Sequence, residues 1–217
     1  GALGATSVQL AARDPQWIAE AARYAEGQGA PVIDINMGCP ARKVTGGQSG
    51  SALMREPDHA LRLIEATVAA VDVPVTVKMR IGIDDEHHTH LEAARIAVDE
   101  GAVAVALHAR TAAQRYSGTA DWDEIARLRD AVPSHVPVLG NGDIFSAQDA
   151  LDMVARTGCD GVVVGRGCLG RPWLFGDLEA AFAGRELPAA PNLGQVAATL
   201  RRHAVLLCEH MGDHKGI

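Results

Sequence analysis

The sequence has no long apolar run, no paired cysteines, few aromatic residues and almost no lysine. Its longest apolar stretches, such as Val71–Val77 and Val103–Leu107, are interrupted or far short of the roughly 20 residues that a membrane-spanning helix needs. No charged segment followed by an apolar one opens the chain, so secretion is not expected. Cys39, Cys159, Cys168 and Cys208 lie far apart and form no CxxC pair. They read as reduced thiols of a cytoplasmic protein, not as a disulfide or zinc framework. Of the 20 basic residues only Lys43, Lys78 and Lys215 are lysines, a compositional habit with no functional weight. The net charge of −7 speaks against a nucleic-acid binder, although binding depends on where charges sit and not on their sum. What remains is ordinary for a globular domain: 217 residues, 47% hydrophobic, 22% charged and 23 glycines. That excludes low-complexity disorder and supports one good core, with too little chain for two domains of about 150 residues.

Short β-branched runs alternate with stretches of helical period. Strands are expected at 7–10, 32–36, 73–79, 102–108, 136–140 and 161–164. Helices are expected at 15–26, 58–71, 89–100, 122–130 and 147–157, the first capped by Asp14 with Pro15 at its first position. Ser146 is a plausible cap for the last, though a full capping box wants Glu or Gln three residues on. Strand–helix–strand units at this spacing point to a parallel sheet whose strands, apolar on both faces, are buried. Asn36, Lys78, His108, Asn141 and Arg166 fall at or just past the ends of successive strands. One polar group per strand favours a (β/α)8 barrel, where strand ends converge on one face, over a doubly wound sheet with a single switch point. Only six strands are found, so the barrel is expected to lack its first two. Residues 1–187 read as that barrel. Pro188–Pro191 reads as a linker, and 193–210 as an amphipathic helix that starts a second, helical domain.

The sharpest local signal is Asp34-Ile-Asn-Met-Gly-Cys-Pro-Ala-Arg-Lys-Val44. A strand ends at Asn36 and breaks into a turn that lifts Cys39 onto the loop above it. With Arg42 and Lys43 following, Cys39 is a candidate nucleophile or proton donor, against an incidental loop thiol. Lys78 in a buried strand is costly unless it meets an anionic ligand or an acidic neighbour. His108 stands above Ala104 and Ala106, which leave room for a bulky planar ligand, against a satisfied core histidine. The turns Gly140-Asn-Gly-Asp-Ile144 and Gly165-Arg-Gly167 close the last two strands, the usual phosphate site of this fold. His87, His88 and His90 lack further ligands nearby and read as a solvated loop, so no metal is expected. Trp122, Trp173 and Phe175 read as packing residues.

Together these segments resemble the bacterial tRNA-dihydrouridine synthases, flavin enzymes that reduce uridines in tRNA. The resemblance runs in order from Val8-Gln-Leu10 through Asn36-Met-Gly-Cys-Pro40, Val77-Lys-Met-Arg80, His108-Ala-Arg-Thr111 with Tyr116-Ser-Gly118, and Asn141-Gly-Asp143, to Gly165-Arg-Gly167 with Pro172-Trp173. It implies an FMN-binding barrel followed by a helical domain that grips tRNA. Gln9 and Lys78 would contact the isoalloxazine ring, with His108 beside it. Asn141, Gly142, Asp143, Gly165 and Arg166 would hold the ribityl phosphate. Asn36 would lie near the uracil and Cys39 would be the general acid. NADPH would supply electrons, with hydride passing to C6 and a proton from Cys39 to C5. A monomeric cytoplasmic enzyme is expected, with neither membrane nor metal as partner.

A uracil must leave its stack before a flavin can lie against it. Arg42, Lys43, Arg110, Arg115 and Arg171 fall on loops at that face, where they would form a positive rim on an acidic protein. Two rivals remain: another FMN-dependent barrel oxidoreductase acting on a small pyrimidine, and a non-catalytic RNA-binding relative. Neither is expected to keep the Asn-Met-Gly-Cys-Pro string together with Cys39 and Lys78.

Overall fold

The computed structural model describes residues 6–212. Six strands alternate with helices in chain order: β1 (Ser7–Leu10), α1 (Pro15–Gly27), β2 (Val32–Met37), α2 (Arg42–Thr45), α3 (Pro57–Val68), β3 (Val75–Arg80), α4 (His90–Asp99), β4 (Ala104–His108), α5 (Trp122–Ala131), β5 (Val138–Asn141), α6 (Ala147–Thr157), β6 (Gly161–Val163), α7 (Leu174–Phe182) and α8 (Leu193–Met211). All six strands form one sheet in the order β1 to β6, each pair parallel. A doubly wound sheet would reverse its strand order, so this is the α/β architecture of the (β/α)8 barrel, present as six consecutive strands. β1 and β6 are not hydrogen-bonded to each other.

Each strand sorts its side chains by period two. Ile33, Ile35 and Met37 of β2, and Val75, Val77 and Met79 of β3, are buried with Leu63 and Ile64 of α3, each contributing roughly 1.5–3 kcal/mol by leaving water. The alternate face carries Asp34 and Asn36, then Thr76, Lys78 and Arg80. The strands are therefore not apolar on both faces as the sequence led us to expect. Their inner face is polar because it lines a cavity.

Three expected strands start two residues too early. Pro74 and Pro137 have no N–H for a ladder, and the Ala102 N–H is used by Ala97 O at the end of α4. Pairing begins at Val75, Val138 and Ala104. Helix α1 starts as expected, with Asp14 Oδ1 accepting from the N–H groups of Gln16 and Trp17. Ser146 caps α6 in a complete box with Asp149, so the shorter carboxylate does the work that a full box usually assigns to Glu or Gln. The short helix α2 and a 3-10 segment at Gly50–Arg55 had no signal, because four to six residues carry no readable amphipathic period. Phe175 is exposed, whereas Trp122 packs and donates to Gly142 O.

The chain divides into two compact units between Leu178 and Glu179, ahead of the proline-rich segment at 188–191. In the second unit α8 is a 19-residue helix whose cap, Asn192, forms a box with Gln195. Among the described residues no helix is long and apolar enough to cross a membrane.

Candidate active site

The C-terminal ends of all six strands face a cavity of about 440 Å³, lined by Gln9, Asn36, Lys78, His108, Asn141 and Val163, one from each strand. Cys39 stands on the β2 loop, held from beneath. Asn36 Oδ1 accepts from the N–H groups of Gly38 (3.0 Å) and Cys39 (2.9 Å). The Cys39 carbonyl accepts from Ser51 N–H, and Arg80 Nε donates to Gly38 O at 2.7 Å. This arrangement fixes the backbone on both sides of the thiol and leaves its side chain on the cavity wall.

The cavity is cationic. Lys78 Nζ donates to Asn141 Oδ1 at 3.0 Å, an amide and not a carboxylate. Burial first, and then the Arg80 guanidinium, push the Lys78 ammonium down to about 8. Burial, with Arg80 and Lys78 next, pushes His108 down to about 3, so its imidazole is neutral. An anion entering here would find one ammonium with no carboxylate as its direct partner, one neutral ring and a polar wall.

The two glycine turns are built by tertiary contacts. Asp143 has φ +56° and receives Arg110 Nη2 on both carboxylate oxygens, at 2.8 and 2.7 Å, together with the Ala120 N–H. Burial alone would raise this carboxyl, but the Ala120 N–H and the guanidinium outweigh it and hold it below the usual carboxylate range. Gly142 has φ +130°, and a Cβ there would lie 2.7 Å from that of Ala120, so only glycine fits. Arg166 reaches back to Asp143 and stacks over Tyr116 at 4.7 Å.

The sequence matches the dihydrouridine synthase family over residues 3–217. This chain belongs to that family. It is 58% identical over 215 residues to a probable tRNA-dihydrouridine synthase of Mycobacterium tuberculosis, covering 97% of this chain and 55% of the relative. It is 48% identical to one of Rhizobium leguminosarum (95% and 62% covered) and 46% identical to tRNA-dihydrouridine synthase B of Xanthomonas campestris (97% and 63%). The chain thus spans about half to two-thirds of the length of these curated relatives. Among solved structures, a ligand-free DHODH of Eimeria tenella superposes with TM-score 0.55 at 16% identity, over 75% of this chain and 54% of that one. A mandelate oxidase superposes with TM-score 0.52 at 24% identity, over 90% and 57%. At these identities the likeness concerns the fold alone.

Eleven of the residues singled out in this dihydrouridine synthase-family sequence line the one cavity: Gln9, Asn36, Cys39, Lys78, His108, Arg110, Asn141, Gly142, Asp143, Gly165 and Arg166. Arg42 instead lines a second, more open groove of about 1130 Å³, which shares Pro40 and Tyr116 with the first. Lys43 is exposed on α2 and lines neither. Arg110 is not on a rim. Its side chain is 1% exposed, spent on Asp143 and the carbonyls of Ser117 and Gly118, because burying a guanidinium demands such partners. Arg171 donates to Phe145 O. Arg55, unnoticed in the sequence, joins Arg42 and Arg115 in the second groove.

Arg80 and Asp34 were also missed as individuals. Arg80 is 2% exposed and donates to Gly38 O, Thr111 O and Arg115 O. Its only sequence signal is an arginine two residues after Lys78, on the same strand face. His87 pairs with Asp84, and buried His90 pairs with buried Glu124. Among the described residues no group of three or more His, Cys, Asp or Glu could hold a metal ion.

Proposed function

We propose that this chain carries the catalytic barrel of a tRNA-dihydrouridine synthase that reduces a uridine of tRNA to 5,6-dihydrouridine using FMN. The observation that carries the reading is the convergence of Gln9, Lys78, His108, Asn141–Asp143 and Gly165–Arg166 on one cavity with Cys39 on its wall. The cofactor fits the residues present. An ammonium without a carboxylate partner suits an electron-rich ring edge, a neutral His108 can face a planar ring, and two glycine turns with Arg166 suit a phosphate. Bound FMN would take electrons from NADPH and supply hydride for C6 of the uracil.

The protein's own residues do the rest. Lys78 holds positive charge beside the ring through its bond to Asn141. Asn36 presents the Cys39 loop, and the Cys39 thiol delivers the proton to C5 and regains one from water. We assign the base to the first cavity and the flanking RNA backbone to the groove of Arg42, Arg55 and Arg115, with exposed Lys43 beside it. Arg110 serves substrate binding by fixing the Asp143 turn. Residues 1–187 are assigned to the barrel, and 188–217, with the capped helix α8, to the helical domain that grips tRNA.

The test is dihydrouridine formation on tRNA lacking the modification, with NADPH. Cys39→Ala is expected to lower the rate about 10²–10⁴-fold while flavin stays bound. Flavin reduction without any dihydrouridine in the unaltered protein would overturn the reading. Arg42→Gln and Arg115→Gln are each expected to reduce the salt slope of tRNA binding by about 0.7, the value for one single-strand phosphate contact.

A further inference from the structure

We propose that Asp34 is a positioning residue for Cys39, acting through a directed relay of two side-chain amides on the floor of the cavity. The inference rests on the reading of Cys39 as the proton donor.

Asp34 lies two residues before Asn36 on β2, so both side chains point to the inner face of the sheet. A barrel floor is usually filled by branched apolar side chains, and a carboxylate there is costly unless its lone pairs are used. They are used in one direction. Thr76 Oγ1 donates to Asp34 Oδ1 at 2.7 Å, and Gln9 Nε2 donates to Asp34 Oδ2 at 2.6 Å. The Gln9 amide is thereby oriented with its oxygen toward Asn36, and Oε1 accepts from Asn36 Nδ2 at 2.8 Å. That orients the Asn36 amide in turn, and its Oδ1 takes the N–H groups of Gly38 and Cys39.

A side-chain amide read alone has two nearly equivalent orientations. An ionised carboxylate is acceptor-only, so at one end of the relay Asp34 admits only the Gln9 NH2. At the other end two backbone N–H groups admit only the Asn36 oxygen. Both ends demand the same polarity, and the relay joins β1, β2 and β3 to the Cys39 loop. Burial raises the Asp34 carboxyl above its ordinary value, and the bonds from Gln9 and Thr76, followed by the charge of Lys78, pull back toward the ionised form. The arrangement is chemically specific: an asparagine at 34 could still accept from Gln9 while the Thr76 hydroxyl turns to accept its NH2, whereas an apolar residue could not.

The readout is the alkylation rate of Cys39 by iodoacetamide, measured peptide by peptide against Cys168 in the same sample. Cys168 is half-buried on the β6 loop, with its own bond to Gly165 O, and has no link to Asp34. Asp34→Val places a strand-favouring β-branched residue there and is expected to raise the Cys39-to-Cys168 ratio at least 5-fold as the loop loosens. Asp34→Asn should stay within 2-fold. In tRNA turnover, Asp34→Val should lower kcat at least 10-fold with KM for tRNA within 2-fold. An unchanged ratio in folded Asp34→Val overturns the proposal.

If that variant does not fold, Gln9→Glu decides. It sets two carboxylates against each other, so the ratio should be raised where both are ionised and return to the wild-type value at lower pH, where they share a proton. A pH-independent ratio equal to wild type overturns the relay. The ratio needs neither tRNA nor NADPH. Absence of dihydrouridine from the unaltered protein therefore sinks the synthase reading alone.

Discussion

Lys78 and His108 show what a residue gives up to serve a cavity. Both are held away from their ordinary protonation behaviour by burial first and by the Arg80 guanidinium next. His108 stays neutral in the folded protein down to about 3 but takes a proton near 6.5 when unfolded. Its contribution is therefore complete above pH 6.5 and is lost as pH falls below it, by up to about 1.4 kcal/mol per pH unit. Buried His90, also lowered by burial against the pull of Glu124, adds in the same direction. Lys78 penalises the fold below about 8, and that penalty is relieved between 8 and 10.5. Lys78→Met is accordingly expected to raise the melting temperature of the flavin-free protein at pH 7 by a few degrees while weakening flavin binding, the usual exchange of function for stability. Differential scanning calorimetry from pH 5 to 10 checks both signs. Lys78 and His108 were legible in the sequence because each is a polar residue set among apolar neighbours near the end of its strand. Arg80 and Asp34 were not, since their partners come from other strands and loops: carbonyls of Gly38, Thr111 and Arg115 for one, Gln9 and Thr76 for the other.

At the scale of elements, the helices and strands were legible wherever local chemistry and tertiary packing agree. Asp14 with Pro15 marked α1, and the β-branched runs marked β2, β3 and β4. The late starts of β3, β4 and β5 came from backbone donors that the one-dimensional pattern does not count, as at Pro74 and Pro137. Helix α6 matters to the site because it follows directly from the Asn141–Asp143 turn. Its box joins Ser146 and Asp149 in both directions, at 3.1 and 2.9 Å, and Asp149 also receives the Phe145 N–H. Ser146→Ala should cost about 1 kcal/mol and lower the melting temperature by about 2–4 °C. Asp149→Ala should cost more, since it releases the N–H groups of both Phe145 and Ser146. Thermal melts of the two variants order these effects, and equal losses would show that the bond from the Phe145 N–H adds nothing.

At the scale of the whole molecule, the sheet presents β1 at one margin with an apolar groove beside it. Val8, Leu10, Trp17 and Tyr24 line it, and Trp17 and Tyr24 are 64% and 71% exposed. Exposed aromatic surface of this kind takes up hydrophobic probes. The 217-residue chain is expected to enhance the fluorescence of an anilinonaphthalene dye, and Trp17→Lys with Tyr24→Lys should cut the enhancement by at least half. On the inner face of central strand β3 stands Arg80, whose single guanidinium group holds carbonyls from the β2 loop and from two points of the β4 loop. Barrel loops are commonly treated as interchangeable parts, each free to vary on a constant frame. Here that modularity is cancelled. Any transplanted β4 loop must deliver two carbonyl oxygens to a fixed point in space, or the thiol-bearing loop loses its brace even with its own sequence untouched. Engineering of substrate range in this barrel should therefore exchange the two loops as a pair.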